Sequence, residues 1–346
     1  MSTNNMFAVL SMLENSVGAY GSALSLIANR ATNTSTTGYK EPQYAFSTLF
    51  TQQFYGSSAV SNGLGRAQGS SVHNVGSGSQ LVMMGHSMTQ GERRQATQHD
   101  AFIAGTGFFI TQSAMDQQRT LTRNGVFRFD SSGFLLDEAG NYVLGHPLKL
   151  KQVEDENGNL VDPEPAQGQT HFSVDQHEHA GSGLVRIRFD ISKDENQPTQ
   201  VGIDQHGYIY SSYGQLPTSN EAIPGLNQTD ENGNEVPIPA QAQFQLAIGS
   251  VSNPSALELT SSGNSYQTSA ASGEMSIVSH AASNNAASLG GNSVEGGFFE
   301  ASNVKIGELL VEGVQIQRSY NAVQSVLGMV AKFMSNFFST VDKVAA

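Results

Sequence analysis

The segment IQRSYNAVQSVLGMVAKFMSNF, residues 316–337, carries apolar side chains at alternating steps of four and three residues. A helix with this spacing presents one continuous apolar seam, which is typical of a helix that pairs with another helix. We predict one long helix from Ile306 to Val341, with Ser302–Asn303 as its N-cap. The seam of this helix is formed by Ile316, Tyr320, Val323, Leu327, Val330, Met334 and Phe337.

The opposite end of the chain repeats the pattern. Leu10, Leu13, Val17, Tyr20, Leu24 and Ile27 follow the same alternation, and the economical interpretation is that the two ends pair as a coiled-coil stem. The other faces of both helices carry mainly Ser, Asn and Gln rather than Glu and Lys, which favours a stem that neighbouring subunits cover. The alternative, two amphipathic helices packed on the chain's own core, stays open.

Composition points to β structure between these helices. Of the 346 residues, 36 are glycine and only 14% are charged, a profile typical of short strands joined by many turns. We therefore predict an α+β fold with a mainly β middle. The net charge of −13 argues against nucleic acid as a partner. The absence of cysteine excludes disulfides and thiolate metal sites, and no apolar run is long enough to insert into a membrane.

Three motifs give the chain a family resemblance. They are IANRATNTSTTGYK at 27–40, DAFIAGTGFF with LTRNGVF at 100–109 and 121–127, and EASNV with QRSY at 300–304 and 317–320. In order and spacing they resemble the bacterial flagellar rod and hook axial proteins, over roughly residues 1–145 and 245–346. The sequence departs from the family at Arg30–Thr32, Tyr39 and Leu121. The positions of the family motif are occupied here by Asn33, Thr37, Gly38, Tyr39, Lys40, Gly105, Gly107, Phe108, Phe109, Arg123, Gly125, Ser302, Asn303, Val304, Gln317, Arg318 and Tyr320.

The middle of the chain is predicted to hold two β domains. The residues around the second motif are expected to form short strands, with hairpin turns at Asn124–Gly125 and Ser132–Gly133. Residues 184–189 alternate as a half-buried strand within a region where the family match fades. We predict a stem of 1–40 plus 303–346, a β-rich core of 41–145 plus 246–302, and an inserted outer β domain of 146–245.

Two features of the insert raise the question of metal binding. The sequence DENGN occurs at 155–159 and at 230–234, but glycine is fourth rather than sixth in each, so hairpin turns are favoured over calcium loops. His177 and His179 would share one face of a strand. Because no third ligand stands at a defined spacing, we predict an exposed polar strand, no metal and no cofactor, and whether the two histidines bind a metal stays open.

The resemblance implies a structural function. It implies a hook subunit that polymerises with itself into a hollow, bendable tube, transmits torque and lets export cargo pass. The paired helices would form the inner tube, and the partners would be neighbouring rod proteins, hook–filament junction proteins and the hook cap. The insert favours hook, and a proximal or distal rod protein with an enlarged outer domain is the alternative. The expected location is the flagellum, reached without a cleaved signal because Met1–Asn5 lack a basic start.

Two other classes of function were weighed against the structural one. A glycoside hydrolase would need two positioned carboxylates, whereas the acidic residues concentrate in predicted turns and no nucleophile-elbow motif occurs. We therefore predict that the protein is not an enzyme. A binding module of the adhesin type would not need the terminal heptads for its activity.

Overall fold

The structure is a computed structural model, and it divides the chain into two compact units. It describes residues 3–49, 51–55, 72–76, 78–150, 152–154, 160–161, 177–179, 183–189, 200–203, 207–212, 227–229, 235–237, 242–261, 263–278 and 292–345. The helical unit comprises Met1–Thr34, Pro42–Gly85 and Val304–Ala346. The β unit comprises Ser35–Glu41 and His86–Asn303. The division into three domains made from the sequence stays a prediction.

Two long helices lie at the ends of the chain, as predicted. Helix α1 spans Thr3–Thr32 and α2 spans Ile306–Ala345, so they are about 45 and about 60 Å long at 1.5 Å per residue. The side-chain amide of Asn33 donates to the carbonyl of Asn29 at 2.8 Å and so satisfies one of the carbonyls left free at the end of α1. The predicted N-cap of α2 is wrong, because the helix begins at Ile306 and the Asn303 side chain bonds to the backbone of Glu41 and Ser87 instead.

The two helices pack against each other within the helical unit. Arg30 in the last turn of α1 donates to Glu312 in the second turn of α2, with Nη1 2.9 Å from Oε2. Gly313 lies opposite Ile27, where an added Cβ would stand 3.6 Å from Ile27 Cγ2. The end of α1 therefore lies beside the beginning of α2. Four strands complete the unit, with β1 paired to β4 and β2 paired to β3: β1 (Pro42–Thr48), β2 (Thr51–Tyr55), β3 (Val72–Gly76) and β4 (Ser79–His86).

The β unit is built from short antiparallel strands. In chain order they are β5 (Arg93–Gln95), β6 (Ala101–Ala104), β7 (Phe108–Gln112), β8 (Arg119–Thr122), β9 (Phe127–Phe129), β10 (Leu135–Asp137), β11 (Tyr142–Leu150), β12 (Val153–Glu154), β13 (Leu160–Val161), β14 (His177–His179), β15 (Val185–Arg186), β16 (Gln200–Ile203), β17 (Tyr208–Ser212), β18 (Asn227–Thr229), β19 (Glu235–Pro237), β20 (Ala242–Leu246), β21 (Ile248–Ser250), β22 (Glu258–Leu259), β23 (Ser265–Gln267), β24 (Ser276–Val278), β25 (Ser293–Gly296) and β26 (Phe298–Glu300). A short 3-10 turn, Pro254–Ala256, precedes β22. The mainly β middle confirms the α+β class.

One large sheet organises this unit. Its strands run in the order β16-β17-β20-β11-β7-β8-β23-β22, with β10, β14 and β15 also paired to β11 and with β21 paired to β7 and β24. Two separate pairs, β6–β25 and β5–β26, join the start of the unit to its end. These two pairs connect residues near 100 with residues near 300, so strands distant in sequence become neighbours.

Alternation along the strands creates two apolar clusters. One contains Ala101, Ile103, Phe109, Phe127, Leu135, Val143, Ile187, Phe189, Ile209, Leu246, Ile248 and Val294. The other contains Phe108, Ile110, Leu121, Leu144, Ala247, Val251, Leu257 and Tyr266. Successive residues of β7 enter different clusters, as the period of two requires. Ile187 and Phe189, from the segment predicted to alternate, are buried in the first cluster.

Of the two hairpin turns predicted at glycines, one is present in the structure and the other is not. Ser132–Gly133 connects β9 to β10, and Gly133 has a φ of 83°, which confirms the predicted hairpin. The predicted hairpin at Asn124–Gly125 is wrong, because β8 pairs with β7 and β23 instead of β9. There the Asn124 side chain accepts from the amide of Val126 at 3.0 Å and folds the chain locally. Residues 155–159 and 230–234 lie outside the described residues, but the strands that flank each of them pair as antiparallel hairpins.

Candidate functional site

The three motifs meet in a buried cluster of charges within the β unit. Lys40 comes from the first motif, Arg123 from the second and Glu300 from the third, and each side chain is at most 2% exposed. We call these three residues, together with Asn303, the motif junction. Charged side chains are almost never fully buried unless they are paired. Their partners therefore explain why these residue types stand in the motifs.

Glu300 is the centre of the motif junction. Its Oε1 lies 2.5 Å from Lys40 Nζ and accepts the amide of Gly91 at 2.7 Å, while its Oε2 lies 3.4 Å from Arg123 Nη1. Its backbone carbonyl accepts the amide of Gly38 at 2.8 Å. Glu300 thus bonds to three other segments of the chain, and its partner Lys40 stands 260 positions before it.

Arg123 connects the same carboxylate to the strand-forming motif. Its Nη2 donates to the carbonyl of Gly105 at 2.5 Å and its Nη1 to the carbonyl of Ile103 at 3.3 Å. Its guanidinium carbon lies 5.0 Å from the centre of the Phe108 ring. The planar fork of arginine reaches two carbonyls and a carboxylate from two separate nitrogens, whereas a lysine offers a single nitrogen.

Asn303 links the third motif to two earlier segments of the chain by hydrogen bonds. Its side-chain oxygen accepts the amide of Glu41 at 2.8 Å, and its side-chain amide donates to the carbonyl of Ser87 at 2.8 Å. The backbone amide of Asn303 donates to the carbonyl of Tyr39 at 3.3 Å. The three segments that these bonds join, 35–41, 86–91 and 300–303, each lie where the chain passes between the helical unit and the β unit.

Burial sets the electrostatics of the motif junction. Burial lowers the pKa of Lys40, and the adjacent Glu300 carboxylate opposes that shift. Burial likewise lowers the pKa of Arg123, again opposed by Glu300. Two cations share one anion, so the removal of that anion would leave both cations uncompensated in a dry site.

Three glycines of the second motif are determined by their surroundings or by their backbone angles. A Cβ on Gly125 would stand 1.7 Å from the carbonyl oxygen of Ala101. The amide of Gly107 donates to the Asn292 side chain at 2.7 Å, and Gly105 has a φ of 125°. Phe108 and Phe109, which follow Gly107 in the second motif, belong to the apolar clusters and are at most 1% exposed. The motif therefore specifies packing and backbone position rather than exposed chemistry.

The predicted seam residues lie in the less exposed stripe of each helix. Leu13 is buried, and Leu10, Val17, Tyr20, Leu24 and Ile27 are half-buried. In α2, Ile316, Tyr320, Val323, Leu327, Val330 and Met334 are half-buried, whereas Phe337 is 41% exposed. Two alanines of α1, Ala19 and Ala23, are more buried than any of these. The role of the seam in self-assembly stays a prediction.

A second apolar stripe on α2 remains uncovered in the single chain. It has two parts, each with steps of three or four residues, separated by the twelve positions from Val314 to Val326, and all its members are at least 40% exposed. Single exposed apolar residues are normal on a protein surface, but rows of them indicate a surface that another molecule covers. We call these two rows together the outer stripe of α2, and they consist of Ile306, Leu310 and Val314, and of Val326, Met329, Phe333 and Phe337, the last of which also ends the predicted seam.

The other motif residues have local roles or lie on the surface. Tyr39 is buried, and Thr37, Ser302 and Val304 are half-buried. Gln317 and Arg318 are exposed on α2. Tyr320 accepts from the Gln324 side chain at 2.8 Å, one turn later on the same helix.

Metal and membrane chemistry find no support in the described part of the chain. Strand β14 pairs with β11, placing His177 opposite Leu150 and His179 opposite Leu148, but the side chains of β14 lie outside the description. Among the described residues no three His, Cys, Asp or Glu side chains form a group that could hold a metal. None of the described helices combines the length and the hydropathy that a membrane crossing requires.

Sequence reasoning missed the ionic partners in the motif junction. Lys40 and Arg123 were identified from motif positions, yet the carboxylate between them, Glu300, was not singled out. The available signal was weak: Glu300 is the first residue of the third motif, EASNV, and the only charged one in it. Ala19 and Ala23 were missed because alanine carries little weight in an apolar pattern.

The comparisons with known proteins point to one family. The family model described as the flagellar hook protein FlgE/F/G D1 domain matches residues 102–211. The flagellar hook protein FlgE of Caulobacter vibrioides is 26% identical over 193 residues, which cover 54% of this chain and 29% of that protein. The FlgE proteins of Helicobacter pylori and Brucella abortus are 31% and 32% identical over 133 and 129 residues. The matches span 18% and 28% of those two proteins, so this chain matches less than a third of the length of each relative.

Proposed function

Because the chain belongs to the family of flagellar rod and hook axial proteins, we propose that it is a structural subunit of the bacterial flagellar hook. In this proposal many copies polymerise into a hollow, bendable tube that transmits torque and lets export cargo pass. The flagellum is then the location of the protein and motility its biological role. No catalytic step is part of the proposal.

The outer stripe of α2 is the observation that carries this proposal. Covering one large apolar side chain stabilises a complex by about 1.5–3 kcal/mol, and the stripe offers seven such side chains that the single chain leaves exposed. In the proposed tube, the paired helices of one subunit form a coiled-coil stem, and helices of neighbouring copies cover its outer stripe. The occupant is therefore a second copy of this chain.

The polar face of α2 supports the channel part of the proposal. Gln315, Gln317, Asn321 and Gln324 are exposed and neutral. A neutral polar wall binds neither sign of charge strongly, so an unfolded cargo chain would pass it without being held. The β unit would form the outer layers of the tube, and its partners would include neighbouring rod proteins, hook–filament junction proteins and the hook cap.

A rod protein with an enlarged outer domain is the second candidate. The observation that favours it is the family model itself, whose description covers FlgF and FlgG together with FlgE. Both candidates use the same stem and the same self-association. They differ in the shape of the polymer that they predict.

The test compares two methionine variants of the full chain. Met329 is 62% exposed in the outer stripe, and Met115 is 98% exposed on a loop of the β unit. Met329→Gln replaces a side chain that assembly would bury, at a cost of about 2 kcal/mol per subunit contact. We expect it to raise the critical concentration for polymerisation at least about ten-fold, whereas Met115→Gln should leave it unchanged.

Electron microscopy of the same samples distinguishes the candidates. Curved hollow tubes from the full chain support the hook subunit, and straight tubes support the rod alternative. A variant that lacks residues 306–346 should form neither. If the full chain does not assemble under any salt condition, or if Met329→Gln assembles like the parent protein, the outer stripe is not an assembly surface and the proposal fails.

A further inference from the structure

A row of arginines and aromatic rings lies on one face of the β unit and has no role in the motif junction. We call it the arginine–aromatic face, and it consists of Arg119, Arg128, Phe134, Tyr142, Arg186 and Arg188. Arg119, Arg128 and Arg188 are exposed, and the other three are half-buried. In a chain with 17 basic and 30 acidic residues, four arginines on one face are a local excess of positive charge.

Strand register places these side chains on the same side of the sheet. Gln112 of β7 stands opposite both Arg119 of β8 and Tyr142 of β11. Leu136 of β10 stands opposite Tyr142 and also opposite Arg128 of β9. Residues that are directly opposite in neighbouring strands project to the same face. Arg119, Tyr142 and Arg128 therefore form one row across the sheet.

The segment 184–189 extends this row. Arg186 of β15 stands opposite Leu144 of β11, two residues from Tyr142. The backbones of Arg188 and Phe134 form an isolated antiparallel β-bridge. Ile187 and Phe189, the alternate residues, enter the first apolar cluster on the other side. The period of two thus directs both arginines to the arginine–aromatic face.

Stacking and hydrogen bonds orient the guanidinium groups. The guanidinium carbon of Arg186 lies 4.5 Å from the centre of the Tyr142 ring, and that of Arg188 lies 5.3 Å from the Phe134 ring. The two rings meet edge to face with centres 5.0 Å apart. Arg186 Nε donates to the side chain of Gln112 at 2.9 Å. Because the side chains are already ordered, a carboxylate that binds them orders little else.

The charge on this face is not neutralised by the described residues. No described carboxylate comes within 4.0 Å of the four arginines, whereas Arg30, Arg93, Arg94 and Arg123 each have one. A surface of this kind is complementary to acidic side chains, and arginine can bind a carboxylate through two parallel bonds.

The chain itself supplies the complementary charge. Residues 151–245 contain 15 of the 30 acidic residues but only four of the 17 basic ones, two of which are Arg186 and Arg188. We propose that the arginine–aromatic face binds acidic side chains from residues 151–245 of a second copy of this chain. This inference rests on the proposed function, since a polymer brings many copies together, and it names a contact between their β units in addition to the one along the helices.

The first test removes two charges from the face in the full chain. The double variant Arg128→Gln/Arg188→Gln loses one exposed and one ring-stacked arginine. Its matched control, Arg93→Gln/Arg94→Gln, also loses one exposed and one ring-stacked arginine of the β unit, because Arg93 lies over the Phe298 ring at 4.4 Å. At about 0.05 M salt we expect the first variant to raise the critical concentration at least about ten-fold over the control, and at about 1 M salt the ratio should approach one.

The second test identifies the bound segment directly. Because the chain lacks cysteine, Ser132→Cys places a single thiol beside Arg188, whose Nε donates to the carbonyl of Ser132 at 3.2 Å. A maleimide–hydrazide reagent then alkylates this thiol, and a water-soluble carbodiimide activates nearby carboxylates so that one of them acylates the hydrazide and the carbodiimide leaves as its urea. In a polymer mixed from 15N-labelled and unlabelled chains, we expect mixed-isotope cross-links to acidic residues of 151–245. Ser261→Cys, on the exposed turn between β22 and β23, should not give them.

The outcomes separate this inference from the proposed function. If the parent chain assembles but both double variants assemble equally at every salt concentration, the face has no partner and the inference is overturned while the proposed function stands. Cross-links within one isotope only would show that the chain covers its own face, which also overturns it. If the parent chain does not assemble at all, both proposals fail.

Discussion

The helical unit and the β unit differ in how much of their apolar side-chain surface is exposed. The β unit buries most of its described large apolar residues in two clusters, and even its buried charges at the motif junction are paired. In the helical unit, helix α2 by itself exposes Ile306, Leu310, Val311, Val314, Val326, Met329, Phe333, Phe337 and Phe338. The exposed apolar residues described in the β unit, Met115, Val185, Leu259 and Ile277, are scattered, whereas those of α2 follow one another along the helix.

Individual glycines also differ in their surroundings. At Gly125 of the β unit there is no space for a methyl group, whereas around Gly18, Gly21, Gly307 and Gly328 of the helices an added Cβ would meet open space. Gly125 is thus determined by a contact inside the chain. No contact with the described residues of one subunit explains why these four helical positions are glycine.

The largest expected effect is the loss of the anion at the motif junction. Glu300→Gln leaves Lys40 and Arg123 buried without a carboxylate, which should destabilise the β unit by about 3–5 kcal/mol. The control is Glu295→Gln, which removes a half-buried carboxylate from the exposed Arg93 and should cost at most about 1 kcal/mol. Urea unfolding followed by near-ultraviolet circular dichroism measures both. Equal losses would show that the β unit does not depend on its buried charges.

A methyl group at Gly125 should have the next largest effect. Gly125→Ala brings a Cβ against the Ala101 carbonyl, and the strands must separate to accept it, at a cost of about 3 kcal/mol. Hydrogen exchange should show this as faster exchange of the Ala101 amide, which donates to the Gly125 carbonyl at 2.9 Å. If that amide stays protected and the unfolding midpoint is unchanged, the close approach is not a constraint on the β unit.

Tyr44→Phe should have a smaller, pH-dependent effect on the helical unit. The Tyr44 hydroxyl donates to Glu312 Oε1 at 2.5 Å, and its loss should cost about 1 kcal/mol at neutral pH, because the site is partly open to solvent. Burial, together with the Glu312 carboxylate, raises the pKa of Tyr44. Its stabilisation is therefore fully present below pH 10.0, the ordinary pKa of tyrosine, and is lost as the pH rises through the raised value.

Comparison with the parent protein tests that sign. The difference in free energy of unfolding between Tyr44→Phe and the parent should shrink as the pH is raised above 10.0. A difference that grows under alkaline conditions would mean that the folded protein ionises Tyr44 more readily than the unfolded chain does. The pH series is monitored through helix content, because Tyr44 belongs to the helical unit.

The smallest expected change has the opposite sign. Gly313→Ala should stabilise the helical unit by about 1 kcal/mol, because alanine is the better helix former and the new methyl would meet Ile27 Cγ2 at an ordinary 3.6 Å. Gly328→Ala is the matched control, since its methyl enters open space. Thermal unfolding followed by helix content measures both. A loss of stability in Gly313→Ala would contradict the packing of the two helices at this position.

Periodicity was enough to predict the helices but not the motif junction. Alternating steps of three and four residues depend only on local order, and they predicted both helices and their less exposed stripes. The Lys40–Glu300 pair joins residues 260 positions apart, and nothing in a single sequence indicates which of 30 acidic residues will meet a given lysine. The same limit explains Asn124–Gly125: the dipeptide favours a hairpin locally, but the pairing of β8 with β7 and β23 decides otherwise.

The predicted alternation of residues 184–189 is confirmed only in its second half. Ile187 and Phe189 are buried and Arg188 is exposed, as a period of two requires, whereas Val185 is 38% exposed and Arg186 is half-buried. What the pattern could not indicate is that the two buried side chains share a cluster with Phe109 and Phe127 of the second motif. A strand's alternation determines which residues are buried, and only the order of strands in the sheet determines what they are buried against.

The position of Glu300 in the chain also sets the order of folding. A ribosome releases the chain from its N-terminus, so Lys40 is available early and Glu300 only 260 residues later. Strand β6 likewise has no partner until β25 is made, because Ala104 pairs with Ser293. Such distant pairings form slowly. The β unit therefore cannot complete its pairing during synthesis until most of the chain has been made.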